Sequence, residues 1–311
     1  MSVKVSVLTT TYNHERFIAQ NIIGVLAQQT DFVVEHIIGE DCSTDGTRAV
    51  VEEFWRHRPD VIKPILRERN IGRRANFIDC FHACRGDYIA IVEGDDYWTA
   101  SHKLQMQADF LDANPDFAIC FHALEHRTED GSQPPRVNRS KHARYTLNDL
   151  LANNVVPTCT VMFRNHLFDA FPAWFTDVPA GDWPLNVLNA QHGDIGYIDE
   201  VMAVQRIHSG GVWSPKPASE RRQSVVSILT TLRDNLDPRY RPTLEQNIAR
   251  WQFKVLNALL IEHHYGSAGR YGLNMIAHPT VPRSIVTGAA FWAWRARSEV
   301  ELPGRSSTSE A

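Results

Sequence analysis

The run Tyr88-Ile89-Ala90-Ile91-Val92 is apolar throughout and ends at once in Glu93-Gly94-Asp95-Asp96-Tyr97-Trp98. A short continuous apolar run reads as a strand buried on both faces, and carboxylates at its C-terminal end sit where open α/β sheets receive ligands. In a partly dry site, Glu93, Asp95 and Asp96 would each raise the pKa of the others. A hard divalent cation such as Mg²⁺ or Mn²⁺ relieves that repulsion with oxygen ligands and keeps positions open for phosphate. The competing reading is an acidic surface turn.

Upstream, β-branched residues alternate from Val3 to Thr10, and Thr11-Tyr12-Asn13-His14 breaks the pattern. Phe17, Ile18, Ile22, Val25 and Leu26 then recur at helical spacing. Val33 to Gly39 reads as a second strand, and Ser43 or Thr44 is placed to cap the helix carrying Val50, Val51, Phe54 and Trp55. Val61 to Leu66 is a third strand, and Ala75 to Cys84 is the helix that returns to the acidic strand. This alternation predicts a mostly parallel sheet with helices on both faces, so that Thr10–Asn13, Glu40–Asp41 and the acidic run share one rim.

Further along, Lys103 to Asn114 reads as a helix, and Phe117 to Ala123 and Thr158 to Arg164 as strands. Between the two strands, residues 127–144 are polar with Gly131, Pro134 and Pro135, and read as a mobile loop over the cleft or a disordered insert. Gly181-Asp182-Trp183-Pro184 opens a helix to about Gln191. Ile195 to Ile198 and Val201 to Ile207 read as two short strands. Ser219 to Asn235, Thr243 to Tyr265 and Arg270 to Ala277 are helical. The expected organisation is an α/β domain over 1–215, a helical region over 216–302, and a disordered tail over 303–311.

A net charge of −4 and the absence of a Lys/Arg stripe argue against nucleic acid as a partner. Five cysteines with no Cys-x-x-Cys pair suggest neither a disulfide framework nor a zinc site, and point to a reducing compartment. No leader pattern and no apolar run of membrane-spanning length is present, so the expected location is cytoplasmic. Ile285 to Trp294, with Trp292, Trp294 and nearby arginines, reads either as a buried helix face or as a peripheral membrane contact at the inner face.

These motifs, in this order over residues 3–215, resemble the family 2 glycosyltransferases, inverting enzymes of GT-A (Rossmann-like) fold that use nucleotide sugars. Val5 to Asn13 is similar to the family's first strand and Thr-x-Tyr-Asn loop. Glu40-Asp41-Cys42-Ser43-Thr44-Asp45-Gly46-Thr47 is similar to its Asp-Asp-Gly-Ser-x-Asp-Gly-Thr segment, with Glu40 for Asp and Cys42 for Gly. Glu93-Gly94-Asp95-Asp96 falls at its metal-binding Asp-x-Asp-Asp position, with Glu93 for Asp.

The resemblance implies a nucleoside diphosphate sugar donor, UDP first with dTDP or GDP as alternatives, bound by Thr10, Tyr12, Asn13, Glu40, Asp41, Ser43, Glu93, Asp96 and Arg206. It further implies Asp95 and His208 as ligands of Mn²⁺ or Mg²⁺ and Asp182 as the general base, with a helix-capping aspartate as the alternative. The implied acceptor is a glycan, a lipid-linked sugar or a small molecule, as in bacterial surface glycan assembly.

A sugar nucleotidyltransferase would carry a glycine-rich basic loop after the first strand, and Thr9 to His14 contains no Gly, Lys or Arg. A nucleotide-sugar-binding protein without catalysis is the third reading. Gln246 to Trp251 has one residue too many for the Gln-x-x-Arg-Trp of processive synthases and reads as helix surface and core. The glycines from Gly266 to Gly272 fit no phosphate-loop spacing and read as a helix–helix connection.

Overall fold

The computed structural model describes residues 2–211, 213 and 215–276, in two compact units that divide after residue 214. In the first unit, β1 (Val3–Thr11), α1 (Ile18–Leu26), β2 (Val33–Glu40), α2 (Thr47–His57), β3 (Ile62–Leu66), α3 (Arg73–Ala83) and β4 (Tyr88–Ile91) form the expected βα alternation. Then come β5 (Tyr97–Trp98), α4 (Lys103–Ala113), β6 (Phe117–Thr128), β7 (Arg136–Asn138), β8 (Arg144–Tyr145), α5 (Leu147–Ala152), β9 (Met162–Arg164), α6 (Asp182–Ala190) and β10 (Asp194–Ile207). They build one sheet of order β3-β2-β1-β4-β9-β6-β10-β5, with β7 beside β6 and β8 beside β10.

The N-terminal half is parallel because each return passes through a helix. Ile18 and Ile22 of α1 and Val51 of α2 meet Ile38 and Ile62 on one face. On the other face the next residue of β2, Gly39, meets α3, since a Cβ there would lie 2.3 Å from Cys80 Sγ. Only glycine lets that helix approach so closely. Pro64 sits within β3, which its place at the sheet edge permits. The larger core gathers Val5, Val7, Ala90, Val92, Trp98, Leu104, Leu111, Leu124 and Met162 under the acidic stretch.

Four expectations are corrected. Thr158 to Arg164 is a 3₁₀ turn over Thr158–Thr160 followed by the short β9, which runs antiparallel between β4 and β6. Residues 127–144 contain an ordered hairpin, with Val137 opposite Glu125. Its polar composition follows from a β7 that is exposed at every position. The two segments after His192 are one strand, β10, parallel to β6, and Asp199-Glu200 is a bulge in it. Neither Ser43 nor Thr44 caps α2: the cap position is Gly46, and Thr47 N–H donates to Asp45 Oδ1 at 3.0 Å.

The second unit holds α7 (Ala218–Asn235), α8 (Arg241–Ile261) and α9 (Tyr265–Ile276), with Leu256, Ala268 and Met275 in a core of their own. Gly266 to Gly272 lies inside α9, a further correction; the connection is Glu262–His264, with His263 at φ 60. Burial of Ala268 and Met275 offsets the low helix propensity of the glycines. In Gln246 to Trp251, Ile248 and Ala249 are buried while Gln246 and Arg250 are exposed. Among the described residues no helix is long and apolar enough to cross a membrane. Ile285 to Trp294 and the tail from Pro303 lie outside the described residues.

Candidate functional site

The acidic turn between β4 and β5 is held from three sides. Asn21, buried on α1, donates from Nδ2 to the carbonyls of Glu93 at 2.8 Å and Asp96 at 3.0 Å, spanning the turn. Gly94 N–H donates to the Thr10 carbonyl at 3.1 Å. A Cβ on Gly94 would lie 2.6 Å from Thr11 Oγ1 and 2.7 Å from His14 Nδ1, so glycine is required there. From β10, Arg206 N–H donates to Asp96 Oδ1 at 2.8 Å, and just past the strand His208 Nε2 donates to Asp95 Oδ2 at 3.1 Å.

The turn gathers carboxylate oxygens of Glu93, Asp95 and Asp96 within 4.8 Å of one another. Burial, then the charges of Asp95 and Asp182, push the Glu93 carboxyl up to about 7 against a pull down from Arg73. Burial and the charges of Asp95 and Glu93 raise Asp96 well above its ordinary value. Burial also opposes ionisation of Asp95, but the His208 hydrogen bond and nearby His14 outweigh it and hold that carboxyl low. One ionised carboxylate flanked by two strained ones, with an imidazole at hand, is a donor set that fits a hard divalent cation. Asp95 and His208 are placed to hold it, with Glu93 and Asp96 beside them.

His14 was not among the residues the sequence singled out. Its Nε2 lies 4.0 Å from Asp95 Oδ2, while its Nδ1 faces Thr11 Oγ1 at 3.2 Å. Asn21 and Gln20 were also missed. Asn21 did leave a signal, being a polar residue at a core-facing position of the Ile18, Ile22, Val25 stripe.

The loop after β1 is locked to the loop after β2. Asn13, at φ 56, takes Thr44 N–H on Oδ1 at 2.9 Å and gives its own N–H to Ser43 Oγ at 3.0 Å. Tyr12 beside it is 41% exposed, free to meet a ligand. Asp41 is nearly buried, and its two oxygens accept from Ile71 N–H at 2.8 Å and Gly72 N–H at 3.0 Å, fastening the entry to α3 rather than capping α2. A carboxylate has about four acceptor positions, so Asp41 retains capacity for a base N–H. A cavity of about 530 Å³ lined by Leu66, Arg67, Glu68, Arg69 and Ile71 opens beside it.

Two expected donor-binding side chains have partners within the protein. Glu40 is fully buried, with Oε1 accepting from Ser43 N–H and Oε2 from Arg48 Nε, both at 2.6 Å. Its carboxylate braces the loop from beneath, a reach that the methylene absent from Asp provides. Arg206 directs Nη1 at the Asp95 carbonyl and Nη2 at Gln20 Oε1.

Asp182 is the first residue of α6 and makes no cap bond, so the capping alternative finds no support; Asn154 Nδ2 donates to its Oδ2 at 3.2 Å. Its charge is one of those that raise the Glu93 carboxyl.

The family model described as Glycosyl transferase family 2 matches residues 6–171, more than half of the chain. The chain belongs to glycosyl transferase family 2. An uncharacterized protein of Mycobacterium tuberculosis is 38% identical over 219 residues, 70% of this chain and 62% of that relative. The chain thus spans under two thirds of that relative's length. Among solved structures, Staphylococcus aureus TarS 1–349 in complex with UDP-GlcNAc superposes at a TM-score of 0.63 and 18% identity, covering 96% of this chain and 90% of TarS 1–349. The mannosyltransferase PcManGT from Pyrobaculum calidifontis, in complex with GDP-Man and Mn²⁺, superposes at 0.59 and 17% identity, covering 96% and 87%. The family 2 chain therefore has the GT-A fold, a mixed α/β sheet flanked by helices, with further helices toward its C-terminus.

Proposed function

We propose that this chain is a metal-dependent, inverting, non-processive glycosyltransferase that moves a sugar from a nucleoside diphosphate to an acceptor hydroxyl. The observation that carries the reading is the convergence of the Glu93, Asp95, Asp96 turn and His208. The base and ribose of the donor lie along Tyr12, Asn13, Ser43 and Asp41, beside the cavity under Ile71. UDP, dTDP and GDP all offer a ring N–H to Asp41. A divalent cation, when bound through Asp95 and His208, supplies positive charge against the diphosphate. TarS and PcManGT support the nucleotide-sugar class by what they are bound to, and PcManGT supports Mn²⁺.

Asp182 takes the proton of the acceptor hydroxyl. The freed oxygen forms its bond to the anomeric carbon as the bond to the diphosphate oxygen breaks on the opposite side, so configuration inverts and the nucleoside diphosphate leaves. Glu93 and Asp96 orient the donor from beneath. The acceptor is a glycan, a lipid-linked sugar or a small molecule handled in the cytoplasm, a role consistent with surface glycan assembly.

Turnover of UDP-GlcNAc and GDP-Man, read as nucleoside diphosphate release with Mn²⁺ and with EDTA, tests the reading. Release should need Mn²⁺. Asp182→Asn should cut kcat by roughly 10²–10⁴ with donor affinity unchanged, as for loss of a general base. Turnover undiminished in EDTA would remove the metal, and an Asp182→Asn enzyme within about threefold of the parent would remove the base.

A further inference from the structure

Given that metal-dependent reading, we infer that Arg206 is a positioning residue for the Asp95 turn, with Gln20 completing the brace, and not a ligand of the diphosphate. The guanidinium lies against two rings, 4.4 Å from the Tyr97 ring centroid and 5.1 Å from that of Phe17. Its two Nη atoms go to the Asp95 carbonyl and to Gln20 Oε1. A phosphate-binding arginine presents its planar fork outward for bidentate contact. Here each Nη of that fork already faces a protein acceptor, and the Tyr97 and Phe17 rings lie against the guanidinium.

The same strand end holds the turn twice more, through Arg206 N–H to Asp96 Oδ1 at 2.8 Å and His208 Nε2 to Asp95 Oδ2 at 3.1 Å. Phe17 also backs His208, ring centroid to ring centroid 4.7 Å. Arg206 therefore fixes the backbone of Asp95, and Gln20 of α1 with Phe17 just before that helix supplies the fixed point. Outer partners of this kind tune an ion site by holding its ligands. Lysine cannot substitute, because an ammonium offers no flat surface to the rings and its donors all radiate from a single nitrogen.

Calorimetry on the full chain separates the possibilities, with UDP as probe, or GDP where UDP does not bind, in EDTA and in saturating Mn²⁺. The parent should gain affinity on adding Mn²⁺. Gln20→Ala, a change at an exposed residue, and Arg206→Lys should each cut that gain by about tenfold, in the range known for outer partners of metal ligands. The double variant should be no worse than Arg206→Lys, since both act through one brace. Affinity in EDTA should be the same in all four proteins.

Loss of EDTA affinity in Arg206→Lys with the Mn²⁺ gain intact would make Arg206 a phosphate ligand and overturn the inference. A Mn²⁺ gain untouched by Gln20→Ala, or additive losses in the double variant, would also overturn it. Absence of any Mn²⁺ gain in the parent is a different failure, that of the metal-dependent reading itself.

Discussion

Asp95 carries most of the expected electrostatic work, because His208 and His14 keep its carboxyl low while its neighbours are pushed up. Replacing it by Asn preserves shape and removes the charge. Asp95→Asn should therefore bind UDP in Mn²⁺ no better than in EDTA, which calorimetry would read directly; a variant that keeps the Mn²⁺ gain would move the ion to Glu93 or Asp96. Cys42 gives a second test that chemistry does not touch. It stands where the resembling family carries glycine, and its φ of 59 is left-handed, which costs a side-chain-bearing residue about 1–2 kcal/mol. Glycine returns roughly 0.5–1 kcal/mol of that in lost chain entropy, so Cys42→Gly should stabilise the protein by about 0.5–1 kcal/mol in urea denaturation. A loss of stability would mean that Sγ, 3.6 Å from the Glu68 carbonyl, contributes more than the backbone strain costs.

Secondary elements explain why much of the site could be read from sequence and some of it could not. Apolar runs that end in loops gave β1, β2, β4 and their shared rim, because a parallel strand buried on both faces must be apolar whatever its neighbours are. Asp95, Asp96 and Asp41 follow from position on that rim. Glu40 and Arg206 look like ligand groups for the same reason, yet their side chains also meet Arg48 and Gln20, partners 8 and 186 residues away in sequence. No local pattern encodes such pairings. The antiparallel β9 is hidden for a similar cause, being three residues whose strand character comes from lying between β4 and β6.

Helix α4 conceals a buried charge. Lys103 is fully buried, with Nζ 2.6 Å from Gln107 Oε1 and 3.9 Å from the Trp98 ring centroid. Burial lowers its pKa to about 7, so the folded chain sheds a proton that the unfolded chain keeps up to 10.5. Below pH 7 both states are charged and the penalty is complete; between the two values stability rises with pH, on the order of 3 kcal/mol from pH 6.5 to 9.5. The buried thiol of Cys120, pushed up to about 12, acts in the opposite sense once the unfolded thiol ionises, so the difference between parent and variant is the quantity to read. Lys103→Met should be ahead of the parent at pH 6.5 and lose that lead by pH 9.5. Parallel stability curves would show the lysine to be charged and compensated in the fold.

At the scale of the whole molecule, two units with separate cores divide the work unequally. Every residue assigned to donor, ion or base, from Thr10 through Asp182 to His208, lies before residue 215. The family match ends earlier still, at residue 171, and so includes neither Asp182, nor the strand that carries Arg206, nor His208 just past it. A chain ending at Ser214 keeps the complete sheet and should fold. It should bind UDP in Mn²⁺ within about threefold of the full chain, and at a hundred times Kd it should gain about 2.7 kcal/mol of stability, as ligand linkage requires for a site wholly inside the folded unit. Calorimetry gives the affinity and thermal unfolding gives the gain. A truncated chain that is folded by circular dichroism but blind to UDP would place part of the nucleotide site beyond residue 214. One that fails to fold would mean that the sheet, for all its apolar burial, depends on the helices that follow it.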